Sequence, residues 1–596
     1  MSFPKKRAAA VCISVLAPTL LLTACFDQPA IRPQEVKDMD AFGDAVTDKA
    51  RYEPGERVKY ALKLKEGIDE GQIIVRYKHL DRLVEEEKID WKGESEVRWE
   101  WEPPADDFTG YMTEIFFKQG KEIVDQTNIA VDVSSDWGKF PRYGYLADFM
   151  AMEQADSEAV IERLNRFHIN GIQFYDWQWK HHMPLKLESG KPAETWPDIA
   201  NRQVSYETVK RYIDLAHEKN MKAMNYNLLF GAYEDAENDG VKMEWGLFRD
   251  PLGKNQDRHP LPDSWASDIL LMDPSNPEWQ QYLIQSEMEV FKHLPFDGWH
   301  VDQLGDRGPL WNKDGDSVNL AQTYAPFLQE AKKKLDVDYV MNAVGQYGQA
   351  YIATQAPVKF LYTEVWGDHP HYRHLKEIID QNAKYSKGKL NTVLAAYMNY
   401  DHANKPGEFN TPGVLLANAV IFASGGSHLE LGENMLAKEY FPNRNLTIPE
   451  ELEKRLVHYY DFLTAYQNLL RDGAQEIEAE LSAASSIALS PTMEQGKVWV
   501  SVKRKDDKQI FHFVNFTDAV HMNWNDANAT QAEPEQIEHV TIALKTDKKP
   551  KKVWMASPDY YGGSPIAIEF EHDGDTLEFA LPKLKYWDMV VVDYAD

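Results

Sequence analysis

Two acidic residues stand where an apolar run stops just short of a glycine. One is Asp302, in Phe296-Asp297-Gly298-Trp299-His300-Val301-Asp302-Gln303-Leu304-Gly305-Asp306. The other is Glu364, in Phe360-Leu361-Tyr362-Thr363-Glu364-Val365-Trp366-Gly367. Two carboxyl groups facing each other across a substrate are what glycosidic cleavage needs. One protonates the departing oxygen, and the other attacks or steadies the anomeric carbon. Their pKa values must differ, and a partly buried, aromatic-lined site can separate them. Trp366 follows Glu364 by two residues, so on a continuing strand it shares a face with it. There it would desolvate the acid and stack on a sugar. A single acid at a strand end more often caps the next helix. Two such acids, each beside Trp and Gly, point to chemistry.

Further polar and aromatic groups fall at similar places. The stretch Gln173-Phe174-Tyr175-Asp176-Trp177-Gln178-Trp179-Lys180-His181-His182 offers Asp176, Trp177, Trp179 and His181 as substrate-binding residues. Tyr226, Asn227, Asn399, Asp401 and Glu430 join them as candidates, although each taken alone is as readily structural. The neighbours His181 and His182 point apart on an extended chain, so they make a poor chelating pair. With no Cys cluster and no HExxH, neither metal nor cofactor is expected. The absence of G-x-S-x-G leaves a serine hydrolase without its nucleophile elbow. Ser424-Gly425-Gly426-Ser427 reads as a turn ahead of a strand.

The elements that must hold these groups alternate. Apolar runs at 143–149, 171–175, 222–229, 298–301, 339–344, 360–365, 392–398 and 428–431 are separated by helical stretches. Val209, Tyr212, Ile213 and Ala216 keep helical spacing, and Asn220 suits the turn that follows. Ser157 is expected to cap one helix and Asn276-Pro277 to open another. Eight β-then-α units predict a (β/α)8 TIM barrel over 138–475, with catalytic groups at the C-terminal strand ends. An open doubly wound sheet competes, but no glycine-rich phosphate loop follows the first strand. Period-2 segments before and after the barrel predict an immunoglobulin-like β-sandwich over 46–137 and an antiparallel β-sandwich over 476–596. The whole is a multidomain α/β chain.

Its 596 residues exceed what one core supports. The net charge of -30 repels phosphate backbones, which argues against nucleic acid as a partner. The 17 Trp, 29 Tyr and 25 Phe suit sugar stacking as well as core packing. At the N-terminus, Lys5-Lys6-Arg7 precedes an apolar run, 8–22, too short for a stable membrane span. It ends in Leu22-Thr23-Ala24-Cys25, which looks like a bacterial lipobox. That implies removal of 1–24 and lipidation of Cys25, with 25–45 as a tether. Of the two cysteines, Cys12 would be lost, leaving no internal disulfide. The expected product is a monomer outside the cytoplasm, held to a membrane by its lipid.

Four segments carry a family resemblance: 172–182, 297–305, 362–366 and 423–433, the last followed by Glu439-Tyr440-Phe441-Pro442-Asn443. In order and spacing they resemble glycoside hydrolase family 66, which contains dextranases and cycloisomaltooligosaccharide glucanotransferases. The resemblance implies retaining cleavage of α-1,6-glucosidic bonds in dextran, giving isomaltooligosaccharides. It makes Asp302 the nucleophile and Glu364 the general acid/base. Members forming cyclic products typically carry a carbohydrate-binding module inserted in the barrel region. No spare β-rich insert stands between Thr392 and Gly473, which favours a dextranase, with transfer to another sugar as the alternative. A sugar-binding lipoprotein with a degenerate barrel is the non-enzymatic alternative, and it should lack one of the two carboxyl groups.

Overall fold

The computed structural model describes residues 31–484 and 487–594. The basic stretch, the apolar run, Cys25 and residues 26–30 of the tether lie outside the described residues, as does Ser486. None of the described helices is long and apolar enough to cross a membrane.

Eight parallel strands form the centre: β1 (Tyr143–Leu146), β2 (Gly171–Phe174), β3 (Lys222–Leu228), β4 (Gly298–Asp302), β5 (Asp338–Val344), β6 (Leu361–Glu364), β7 (Thr392–Ala395) and β8 (Gly426–Leu429). After them come α1 (Gln154–Arg166), α2 (Tyr206–Glu218), α3 (Pro277–His293), α4 (Leu320–Lys334), α5 (Gln349–Gln355), α6 (Tyr372–Ser386), α7 (Thr411–Ser424) and α8 (Glu450–Ala465) in turn. The strands pair in chain order from β1 to β8. Across the remaining seam, the Tyr145 N–H donates to the Leu431 carbonyl at 3.0 Å, and the Ser427 hydroxyl donates to the Pro141 carbonyl at 2.8 Å. The barrel is thus nearly closed.

Alternation along each strand sets what faces inward. On β4, Trp299 and Val301 pack outward among the helices, so His300 and Asp302 face the lumen. On β6, Leu361 packs outward while Tyr362 and Glu364 face in. Asn276 caps α3 as expected, accepting from the N–H groups of Glu278 and Trp279 at 2.9 and 3.2 Å. Asn220 takes the left-handed turn after α2, at φ 54°. Ser157 is not a cap. The helix α1 starts one turn earlier, and the Ser157 hydroxyl donates back to the Glu153 carbonyl at 3.3 Å. The Ser424–Ser427 run is not a free turn either. Ser424 ends α7, Gly425 closes it at φ 97°, and Gly426 already begins β8.

Before the barrel, a three-stranded sheet (42–47, 58–64, 96–101) and a four-stranded sheet (71–79, 82–91, 109–119, 122–133) enclose a shared apolar core. Its first strand, Phe42–Thr47, takes up the last residues of the expected tether. After the barrel, one sheet centres on Val498–Lys505, Lys508–Asn515 and Trp587–Tyr594, and a second on Ile537–Lys545 and Thr576–Leu584. All three units meet through buried polar contacts. The Arg142 guanidinium pairs with Asp132 at 2.7 Å, both fully buried. Asn128 donates to the Ser564 hydroxyl at 2.9 Å. Burying an ion pair costs desolvation, so such contacts fix geometry more than they add stability.

Candidate active site

The C-terminal strand ends open into a cavity of about 600 Å³. Asp302 and Glu364 line it from β4 and β6, and β5 lies between them. From β5, the Asn342 side chain reaches both. Its Nδ2 donates to Asp302 Oδ1 at 2.8 Å and to Glu364 Oε2 at 2.9 Å. One shared nitrogen holds those two oxygens less than about 6 Å apart. That limit on the facing oxygens suits the roughly 5–5.5 Å of a retaining carboxyl pair.

The two acids sit in different surroundings. Asp302 Oδ1 accepts a second bond, from the Gln303 N–H at 2.8 Å, and Oδ2 accepts the Tyr226 hydroxyl at 2.7 Å. Burial raises its pKa, and these three donors oppose the rise. Glu364 Oε1 accepts the Tyr397 hydroxyl. Burial, and then the charge of Asp302, push the Glu364 carboxyl up to about 7. The charge of ionised Asp302 thus helps Glu364 hold its proton.

Rings enclose the pair. Tyr226 and His300 stack at 5.8 Å, and Tyr175 stacks on Phe441 at 4.2 Å. Trp366 lines the wall beside Glu364 and packs on Tyr397 at 5.5 Å. The long β3–α3 loop contributes His259, Leu261 and Trp265, and the ring of Trp265 meets Tyr440 at 5.5 Å. That loop is pinned by Asp257, a buried carboxylate bonded to Arg249 at 2.8 Å and to Arg307 at 2.8 and 2.9 Å. Arg307 follows Asp302 closely, so the loop is tied to the strand that carries the acid.

Of the residues singled out in the sequence, Asp302, Glu364, Asp176, His181, Tyr226 and Trp366 line the cavity. Asp176 is held at φ 50° at the end of β2, and burial pushes its carboxyl up to about 7. The other candidates do not line it. Trp177 is buried against Trp196 and Phe296, with its indole N–H on Asn225 Oδ1 at 2.9 Å. Trp179 lies under the ammonium groups of Lys180 and Lys186. Asn227 faces α3. Glu430 is buried between Asn418 and Tyr460. Asn399 and Asp401 are held instead by the loop 523–531. The Asn399 amide donates to the Asp526 carbonyl, and the Asp401 N–H to the Ala527 carbonyl, at 2.8 and 2.9 Å.

His181 and His182 do diverge, toward Asn227 and Asp239 respectively. His182, Asp235 and Asp239 come within chelating distance of one another. The Lys180 ammonium already bonds both carboxylates there, at 2.8 and 2.7 Å, and stands where a cation would. Asn342 and Tyr397 were not singled out in the sequence, and Tyr175 and the Glu439–Phe441 segment stood there only as parts of the family motifs. For Asn342 a signal existed: an amide at an inward position of the strand between the two acid-bearing strands.

Barrel, cavity and paired carboxyl groups together define an enzyme acting on glycosidic bonds. Residues 47–591 match the model of glycosyl hydrolase family 66, and the chain belongs to that family. A cycloisomaltooligosaccharide glucanotransferase of Niallia circulans is 27% identical over 734 residues, covering 97% of this chain and 74% of the relative. A dextranase of Streptococcus salivarius is 24% identical, covering 81% and 67%. The crystal structure of a Paenibacillus sp. cycloisomaltooligosaccharide glucanotransferase complexed with cycloisomaltoheptaose superposes with a TM-score of 0.87 at 26% identity, covering 93% of this chain and all of that one.

Proposed function

We propose that this enzyme is a retaining endo-dextranase that cuts α-1,6-glucosidic bonds to release isomaltooligosaccharides. The observation that carries retention is the Asn342 amide shared by Asp302 and Glu364. The substrate rests on the relatives, one named a dextranase and others that act as cycloisomaltooligosaccharide glucanotransferases. In the first step Glu364 gives its proton to the departing glucosyl oxygen while Asp302 bonds to the anomeric carbon and the C–O bond breaks. Asp302 Oδ1 already accepts two hydrogen bonds and Oδ2 one, so Oδ2 keeps the lone pair that attacks. In the second step Glu364 takes a proton from water, the water oxygen bonds to the anomeric carbon, and Asp302 leaves.

What supports hydrolysis over transfer is that no β-rich insert stands between Thr392 and Gly473. The 734-residue alignment to the Niallia glucanotransferase exceeds the 596 residues of this chain, so that relative carries well over a hundred residues with no counterpart here. Digestion of dextran, starch and pullulan with product sizing tests the reading. Linear isomaltooligosaccharides from dextran alone are expected. Cyclic or lengthened products would make the chain a glucanotransferase, and activity confined to starch or pullulan would remove the linkage assignment. We also propose lipidation at Cys25 and an extracytoplasmic location, checked by mass spectrometry of the mature N-terminus. The three-plus-four strand division before the barrel supports the immunoglobulin-like reading of that unit.

The active form is ionised Asp302 with protonated Glu364. As pH falls through the raised pKa of Asp302, the nucleophile is protonated and kcat/KM declines. As pH rises past about 7, Glu364 loses the proton it must donate and kcat/KM declines again. Tyr397→Phe removes a donor that lowers the Glu364 pKa. The alkaline limb is therefore expected to move to higher pH, with kcat at neutral pH within about tenfold of the parent. A pH–rate profile checks it, and an unmoved alkaline limb would contradict the assignment of Glu364 to that limb.

A further inference from the structure

Behind the cavity wall lies a carboxyl group that the proposed chemistry does not use. Glu287, on the inner face of α3, is fully buried. Among the described residues no Arg or Lys pairs with it, and burial pushes its carboxyl up to about 7. An unpaired acid in a strand–helix interface is costly, and one apolar side chain there would pack without that cost. Its two oxygens are committed to two amides of β3. Asn225 Nδ2 donates to Oε2 at 2.7 Å, and Asn227 Nδ2 donates to Oε1 at 2.6 Å.

Those bonds have a direction. Accepting from both, Glu287 holds each amide with its NH2 toward α3 and its carbonyl oxygen away. Asn227 Oδ1 then meets His181 Nδ1 at 3.0 Å, while Asn227 Nδ2 also donates to the His181 carbonyl at 2.9 Å. Nδ1 also lies 3.1 Å from the Gln178 amide nitrogen, which has Asp176 Oδ1 at 3.5 Å as its own acceptor, whereas the Asn227 oxygen can only accept and so draws the proton of the neutral imidazole to Nδ1. Burial keeps His181 neutral, its pKa pushed down to about 4. The opposite nitrogen, Nε2, is left with a lone pair, and no described protein group bonds it. His181 lines the cavity. On the other arm, Asn225 Oδ1 accepts the Trp177 indole N–H, which anchors the same loop.

We infer that Glu287 is a positioning residue: through the Asn227 amide it sets the tautomer of His181, so that Nε2 accepts a hydrogen bond from a sugar hydroxyl. This rests on the glucan-cleaving reading of the site. Glu287→Gln keeps size and shape but presents one donor in place of an acceptor. One of the two amides must then turn or lose its partner.

A double-mutant cycle tests the inference, using Glu287→Gln, His181→Gln and the pair, with KM and kcat measured separately. Glu287→Gln is expected to raise KM roughly tenfold with kcat changed much less. In the His181→Gln background it should change KM less than twofold, because the group it acts on is gone. Independent KM effects that multiply would overturn the inference, as would a loss confined to kcat. Should Glu287→Gln fold poorly, Asn227→Ala takes its place in the same cycle, with the same expected and overturning results. The parent enzyme is assayed first on dextran, starch and pullulan. Inactivity on dextran sinks the substrate assignment, and the cycle is then run on whichever glucan the parent cleaves, so the two failures are separable.

Discussion

Asp302→Asn is expected to lower kcat on dextran by roughly 10⁴-fold or more, the scale seen when a catalytic nucleophile is removed. The amide cannot form the glycosyl bond, and its NH2 faces donors arranged for an anion. Tyr226, Asn342 and the Gln303 N–H all point hydrogens at this carboxylate. At least one loses its acceptor. The same change should stabilise the fold. A buried acid with a raised pKa binds its proton more tightly folded than unfolded, so its contribution to stability is present at low pH and lost as pH rises through the folded pKa. At pH 7 ionised Asp302 is therefore a liability that a neutral amide removes. Thermal unfolding of Asp302→Asn at pH 7 should show a higher Tm, a common exchange of activity for stability. Residual kcat within tenfold of the parent would end the assignment of Asp302 as nucleophile.

The barrel was legible because each strand is a short apolar run with the chain's chemistry gathered at one end. The acids were legible for the same reason: Asp302 and Glu364 stop such runs. Asn227 and Glu430 were misplaced for a reason that period-2 alternation contains. Each directly follows an inward residue, Tyr226 and Leu429, and must face the helices. Trp177 lies past the end of β2, where alternation no longer applies, and only packing against Trp196 shows where it goes. Asn399 and Asp401 are a different case. They stand after β7 as a barrel acid should, yet a loop from the C-terminal unit, over a hundred residues later, claims them. Asp526 bonds Asn399 and Asn410, and Trp524 reaches the His369 carbonyl at 2.6 Å. No local pattern announces a contact made at that range. The lining segment Glu439–Phe441 lacks strand or helix periodicity, so its rings carried no positional information.

Glu364→Gln should separate the two carboxyl groups by substrate. On dextran the leaving group is a sugar alkoxide, which needs a proton as the bond breaks, and loss of the general acid is expected to lower kcat by about 10²–10⁴-fold. On an aryl α-glucoside with an acidic phenol the leaving group departs unaided. The first step should then remain within about tenfold of the parent, because Asp302 and its donors are untouched. The second step still suffers, since water no longer meets a base. A glycosyl-enzyme should therefore accumulate as a burst of phenol followed by slow turnover, trapped on Asp302 in peptide mass spectra. Azide, an anion that attacks without losing a proton, should restore turnover and yield the α-glucosyl azide. The α configuration follows from two displacements at one carbon. A β-glucosyl azide would mean one displacement and an inverting site, against the separation that Asn342 imposes on the pair. Equal losses on dextran and on the activated glucoside would remove Glu364 from the role of acid and leave Asp302 as the only assigned group.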